Sequence, residues 1–167
     1  MCQTIFNFDD ADADARGKEI KRETLVELAE YVNTPAGQKI FTEALMPDIV
    51  TMVKMNLFRT LPPQTEDFDP EEDEPAMEPA WPHLQVVYEF FLRFIVSSEV
   101  NGKIAKKYVD LPFICNWIEL FDTEDPRERD YVKTVLHRMY GKFMSYRSYI
   151  RKAISQVFFR YIYETGR

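Results

Sequence analysis

The chain has 167 residues, 46% of them hydrophobic and 14% aromatic, and a formal net charge of −7. That is enough apolar material for a sizeable core, which excludes wholesale disorder, and too acidic a balance for a protein that binds nucleic acid by neutralising phosphates. The length suits one compact domain or a short array of helical repeats.

The first 15 residues, MCQTIFNFDDADADA, are acidic and aperiodic and predict a loose tail, with Phe6 and Phe8 able to dock on a neighbouring surface. Residues 16–167 are then expected to form one helical-repeat domain. A helix is predicted from about Arg16 to Val32, with Leu25, Leu28, Ala29 and Val32 on one face, ended by Asn33-Thr34-Pro35 and Gly37. A second is predicted from about Lys39 to Arg59, with a kink or break near Ala44 to Met46 because Pro47 lies inside it. Residues 60–79 contain LPPQTEDFDPEEDEPAMEP and predict a proline-stiffened acidic loop, with Phe68 as a possible anchor. Trp81 and Pro82 open a helix to about Ser97 that is apolar almost all round, as in a helix buried between neighbours. Asn101-Gly102 breaks the pattern. Short helices are predicted near Ile104 to Val109 and from Pro112 to Phe121.

Asp125 then reads as an N-cap, with Pro126 at the first helical position and Glu128 in the first turn. Arg127-Glu128-Arg129-Asp130 is most simply a solvent-facing turn with weak local ion pairs. Val132, Val135, Leu136, Met139 and Phe143 share an apolar face, which leaves Thr134, His137, Arg138 and Gly141 opposite it and Tyr140 at the boundary. A bend or division is predicted over Gly141 to Tyr146. The last helix runs to about Glu164, with Ile150, Ile154, Val157, Phe158, Tyr161 and Ile162 making it apolar on two sides. No strand pattern occurs, so the fold class is all-α. Hairpins near 16–59, 80–121 and 125–164 recur at the ~40-residue spacing of HEAT-type repeats, giving a HEAT-like solenoid of about three hairpins. A four-helix bundle is the competing architecture.

Two cysteines, Cys2 and Cys115, provide neither a disulfide framework nor metal-ligand spacing. Cys115, in the apolar run PFICNWIELF, is expected to be a buried, inert thiol. The aromatics Trp81, Tyr88, Phe90, Phe91, Phe94 and Trp117 are expected to be core. No run approaches the ~20 apolar residues of a membrane span, and no secretory signal is visible, so the expected setting is cytoplasmic or nuclear. His83 and His137 have no nucleophile at a recognisable spacing, and there is no glycine-rich phosphate loop, so no enzyme is expected. The acidic loop lacks the spacing and the glycine of a calcium loop, and no cofactor is expected. Thr134, His137, Arg138, Tyr140 and Arg147 form the sharpest candidate surface. Arginines there suit carboxylates or phosphates, and the ring side chains suit an inserted apolar group. The competing account is local ion pairing around a solvated histidine.

DPRERDYVKTVLHRMYGKFMSYRSYIRK, with FRTLPP, FDPEEDEPAMEPAWPHLQVVYEFFLRF and IAKKYVDLPFICNWIELFDTEDPRERD upstream, closely resembles the B-prime family of regulatory subunits of protein phosphatase 2A. The similarity runs from about Lys18 to Thr165. It implies a non-catalytic adaptor that meets a scaffold subunit and a metal-dependent catalytic subunit. It also implies that this region forms part of a groove for short Leu-x-x-Ile-x-Glu peptides, with His137, Arg138, Tyr140 and Arg147 as matching residues and Thr134 and Met144 beside them. The acidic loop is implied to lie near the catalytic subunit or the regulatory subunit's own groove, with Glu71, Glu72 and Glu74 as interface candidates. Because the family's helical domain continues further, the expectation is an N-terminal portion or shortened relative, truncated at the C-terminal end. Such a chain would hold half a groove with weakened peptide affinity, and the uncovered last helix would favour self-association. The alternatives are a decoy that occupies phosphatase subunits without delivering substrate, and an unrelated helical peptide-binding protein.

Overall fold

The structure is a computed structural model that describes residues 1–62 and 72–164. Among the described residues there are eight α-helices and no strand. They are α1 (Ala15–Val32), α2 (Pro35–Gln38), α3 (Met46–Leu57), α4 (Trp81–Val96), α5 (Gly102–Ala105), α6 (Leu111–Glu119), α7 (Pro126–Lys142) and α8 (Arg147–Glu164). Short 3-10 turns at Leu120–Asp122 and Met144–Tyr146 follow α6 and α7.

Local chemistry sets most boundaries. Asp14, Thr34, Asn101, Asp110 and Asp125 each accept a backbone N–H of the following first turn, which satisfies donors a helix start leaves open. Pro35, Pro47, Pro82, Pro112 and Pro126 occupy first-turn positions, where a missing N–H costs nothing. Pro47 breaks the predicted 39–59 helix outright: α3 starts at Met46, because a proline ring cannot follow a further helical turn.

The core is one cluster built on α4, which packs against α1, α3 and α7, while α6 contacts α7 and α8. Tyr88, Phe90, Phe91 and Phe94 of α4 are buried with Phe113 and Trp117 of α6 and Val132, Val135 and Met139 of α7. Ring pairs such as Phe91–Trp117 at 5.3 Å and Tyr88–Trp117 at 5.7 Å make these contacts directional. The Trp117 indole N–H donates to the Val132 carbonyl at 3.1 Å, so burying it leaves no donor unpaired.

Three regions differ from the sequence expectation. Cys115 is exposed, because α6 turns Phe113, Ile114, Trp117 and Ile118 inward and leaves the thiol outside against the Tyr149 hydroxyl. Glu128 is fully buried, for reasons given below. Residues 1–14 are non-helical, but side chains of α1 and α3 bond their backbone. On α8, Ile150 enters the core, whereas Phe158, Phe159, Tyr161, Ile162 and Tyr163 are each more than half exposed.

Candidate functional site

The C-terminal half of α7 and the start of α8 bring together part of the predicted surface. Val132, Val135, Leu136 and Met139 are buried, and the opposite side presents His137 and Arg138, both exposed and without a hydrogen bond to another described residue. One turn on, a Cβ added at Gly141 would meet nothing within 4 Å, so the backbone there is open to an approaching ligand. Phe143 is buried and ends α7, and the 3-10 turn at Met144–Tyr146 folds α8 back beside it.

That reversal places two arginines on Tyr140. The Arg147 Nε donates to the Tyr140 carbonyl at 3.0 Å and an Nη to the Gly141 carbonyl at 3.4 Å, satisfying the end of α7 with a cation where the helix dipole favours one. Its guanidinium also lies 5.1 Å from the Tyr140 ring centroid. The Arg151 Nη1 donates to the Tyr140 hydroxyl at 2.7 Å. The result is a half-buried tyrosine framed by two guanidinium groups beside a free arginine and a free histidine. This chemistry suits a carboxylate-bearing segment that also inserts an apolar side chain.

Of the other predicted members, Thr134 is half-buried and its hydroxyl is committed to the Asp130 carbonyl at 2.8 Å. Met144 is 68% exposed in the 3-10 turn. Thr134 lies within α7 and Met144 in the turn beyond its end. Nearby, the Lys142 amine donates to the Ser97 carbonyl at 3.0 Å, and burial lowers its pKa. Arg151 is the member that sequence spacing missed. Its partner Tyr140 lies eleven residues back across the turn, and in one straight helix that spacing would hold the two about 16 Å apart.

Glu72 and Glu74 are exposed, while Glu71 lies outside the described residues. The segment around them is fastened to the start of α7. The Ala76 N–H donates to Glu124 at 3.2 Å and the Glu78 N–H to Asp125 at 2.9 Å. Beneath it, Glu128 accepts four bonds: from both Arg59 Nη atoms at 2.8 and 2.9 Å, and from Tyr88 and Thr123 hydroxyls at 2.7 Å each. Arg59 also pairs with Glu78 at 2.7 Å. Burial by itself would lower the Arg59 pKa, but the Glu128 and Glu78 carboxylates override it and raise it. Burial first, and the Glu128 charge second, push the Tyr88 hydroxyl far above its ordinary range. Burial would likewise raise Asp125, yet Arg127, bonded to it at 2.7 and 3.1 Å, and two backbone N–H groups hold it low. Glu128 therefore corrects the solvent-facing expectation, whereas Arg127, Arg129 and Asp130 around it are exposed.

The described residues contain no group of three or more His, Cys, Asp or Glu arranged for a metal, and no helix long and apolar enough to cross a membrane. His83 bonds the Lys18 carbonyl, and neither histidine is hydrogen-bonded to a hydroxyl or thiol of the described residues.

A family model described as protein phosphatase 2A regulatory B subunit (B56 family) matches residues 1–167. The chain belongs to the B56 family. It is 56% identical over 166 residues to the mouse 56 kDa regulatory subunit alpha isoform of serine/threonine-protein phosphatase 2A, covering 99% of this chain and 34% of that protein. It is 54% identical to the human beta isoform over 165 residues, 98% of this chain and 33% of the relative. The B' beta isoform of the 57 kDa regulatory subunit from Arabidopsis thaliana is 49% identical over 172 residues, 99% of this chain and 34% of the relative. This B56-family chain thus spans about a third of the length of the curated relatives it matches.

Proposed function

We propose that the chain supplies part of a non-catalytic regulatory subunit of protein phosphatase 2A, and that its α7–α8 face docks short Leu-x-x-Ile-x-Glu peptides of substrates and adaptors. Its partners are then the scaffold and catalytic subunits, and the bond-breaking chemistry belongs to the catalytic subunit. The observation that carries this reading is the exposed Arg138 and His137, without a side-chain partner among the described residues, beside Tyr140, Gly141 and the Arg147–Arg151 pair. A glutamate at the end of a peptide matches the guanidinium groups, and an aliphatic side chain matches the tyrosine wall. The exposed Glu72 and Glu74, with Glu71, form a second contact surface, toward the catalytic subunit. We assign residues 16–167 to one helical-repeat domain, acting in the cytoplasm or nucleus.

Fluorescence-anisotropy titration with a labelled Leu-x-x-Ile-x-Glu peptide tests the face. Arg138→Ala is expected to weaken binding about tenfold or more, the effect of losing one charge-assisted contact worth roughly 1.5–3 kcal/mol. Equal affinity in Arg138→Ala and Arg151→Ala would remove this face from peptide recognition.

A further inference from the structure

Away from that face, residues 2–10 lie as a non-helical strap against α1, α3 and α4, and the groups beneath it are unusual for helix surfaces. Lys18, Lys21, Asn56 and His83 are 8%, 2%, 3% and 3% exposed. Three of them bond strap main chain: Asn56 Nδ2 donates to the Cys2 carbonyl at 2.8 Å, Lys21 Nζ to Thr4 at 2.7 Å and Lys18 Nζ to Asp10 at 2.7 Å. The fourth, His83, meets Phe6 and Phe8 edge-on at 6.0 and 5.0 Å, and its Nδ1 is buried without a partner. Lys18 and Lys21 also lie 4.9 and 5.9 Å from the Phe8 and Phe6 ring centroids. A Cβ at Gly17 would stand 2.7 Å from the Phe6 ring, so this glycine leaves room for the aromatic to settle.

The strap itself is shallow. No residue from Met1 to Asp10 is buried, and only Cys2, Phe6 and Phe8 are half-buried. A segment holding so little apolar surface opens at far lower free energy than the core. The receiving side, by contrast, is preorganised. Its donors read main-chain carbonyls, a ring slot takes side chains two residues apart, and the cations Lys18 and Lys21 bond a strap that ends in Asp9-Asp10.

We propose that this face is a second linear-peptide site, occupied in cis by Phe6-Asn7-Phe8-Asp9-Asp10, that accepts in trans a segment of the same aromatic-x-aromatic-acidic chemistry. The site lies on α1, α3 and α4 and does not depend on the α7–α8 reading. The full chain carrying Phe6→Ala and Phe8→Ala keeps every receiving residue while vacating the ring slot. A fluorescent peptide spanning residues 3–12 is expected to bind it saturably. The same peptide should bind the unsubstituted chain at least about tenfold more weakly, because a tethered strap competes at millimolar effective concentration. A peptide with both phenylalanines replaced by alanine should not bind. Absence of saturable binding, or equal binding to both chains, would overturn the proposal. Hydrogen exchange on the unsubstituted chain gives an independent reading: strap amides are expected to exchange at least about a hundredfold faster than those of α4. Exchange of strap and α4 amides in one cooperative step would show the strap to be part of the core, and so would unfolding of the doubly substituted chain.

Discussion

Replacing Glu128 by alanine removes the acceptor of four hydrogen bonds at once. Two buried hydroxyls, on Tyr88 and Thr123, lose their partner, and Arg59 keeps Glu78 and the Leu57 carbonyl. Breaking a buried ion pair by deleting one member costs about 3–5 kcal/mol, chiefly because the remaining charge stays desolvated. The Arg59 side chain is 21% exposed and retains one carboxylate, so the lower end of that range, about 3 kcal/mol, is expected. For a protein of this size such a loss lowers Tm by roughly 6–12 °C. Urea unfolding followed by circular dichroism measures the change directly. Glu128→Gln, which keeps an acceptor and the volume but not the charge, should fall between the two. Replacing both Arg59 and Glu128 by apolar residues of similar size should cost less than Glu128→Ala alone. A loss below about 1 kcal/mol for Glu128→Ala, with an unchanged m-value, would refute the reasoning, since no buried four-bond carboxylate can be deleted so cheaply.

Two further outcomes are expected. Gly141 sits near the end of α7 with open space where a Cβ would go, so Gly141→Ala should stabilise the chain by up to about 0.5–1 kcal/mol in the same urea assay. His83 is held below its ordinary pKa by burial and by the Lys21, Arg22 and Lys18 charges, against the opposing Lys18 carbonyl bond. Above about pH 6.5 it is neutral both folded and unfolded and contributes no pH dependence. Below that the unfolded chain binds the proton first, so stability falls as pH drops, by at most about 1.4 kcal/mol per pH unit. The depressed Asp125 acts in the same direction at lower pH, its contribution being lost as pH falls through its folded pKa. Thermal melts from pH 7 to 5 should therefore show a decline that His83→Gln flattens.

Helix starts were legible in the sequence where adjacent residues set them, as at Asp125-Pro126 and Trp81-Pro82, whereas Thr34-Pro35, read as the end of one helix, also caps and starts the short α2. The apolar face of α7 followed from spacing alone. Glu128 did not, although it lies four residues before Val132 and so on the same inward face. What permits its burial is Arg59, 69 residues away, and no local pattern encodes that partner. Lys18 and Lys21 posed the same problem more sharply. In KEIKRE they look like solvated side chains, yet both are buried against main-chain carbonyls, which any residue can supply. On the candidate face, His137, Arg138 and Tyr140 were readable from one helix, whereas Arg151 joins them only through the fold-back at Met144–Tyr146. Pairings across turns and distant segments are where sequence spacing stops being informative.

Helix α7 thus does two jobs at its two ends. Its first turn is a buried electrostatic joint that fixes the end of the acidic segment through Glu128, Asp125 and Glu124. Its last turns leave Arg138 and His137 without side-chain partners among the described residues and open the backbone at Gly141. Twelve residues separate Glu128 from Tyr140, about 18 Å along the axis, which is beyond the range over which substitutions usually couple. The two ends can therefore carry opposite requirements. Glu128 tolerates no loss of its partners because water cannot reach it, while Arg138 and His137 are exposed and solvated. A rigid, fully satisfied joint at one end of a continuous helix holds the unsatisfied face at the other in a fixed orientation. Under the proposed peptide-docking role, a few exposed side chains held this way would form a preorganised surface without a pocket closing around them.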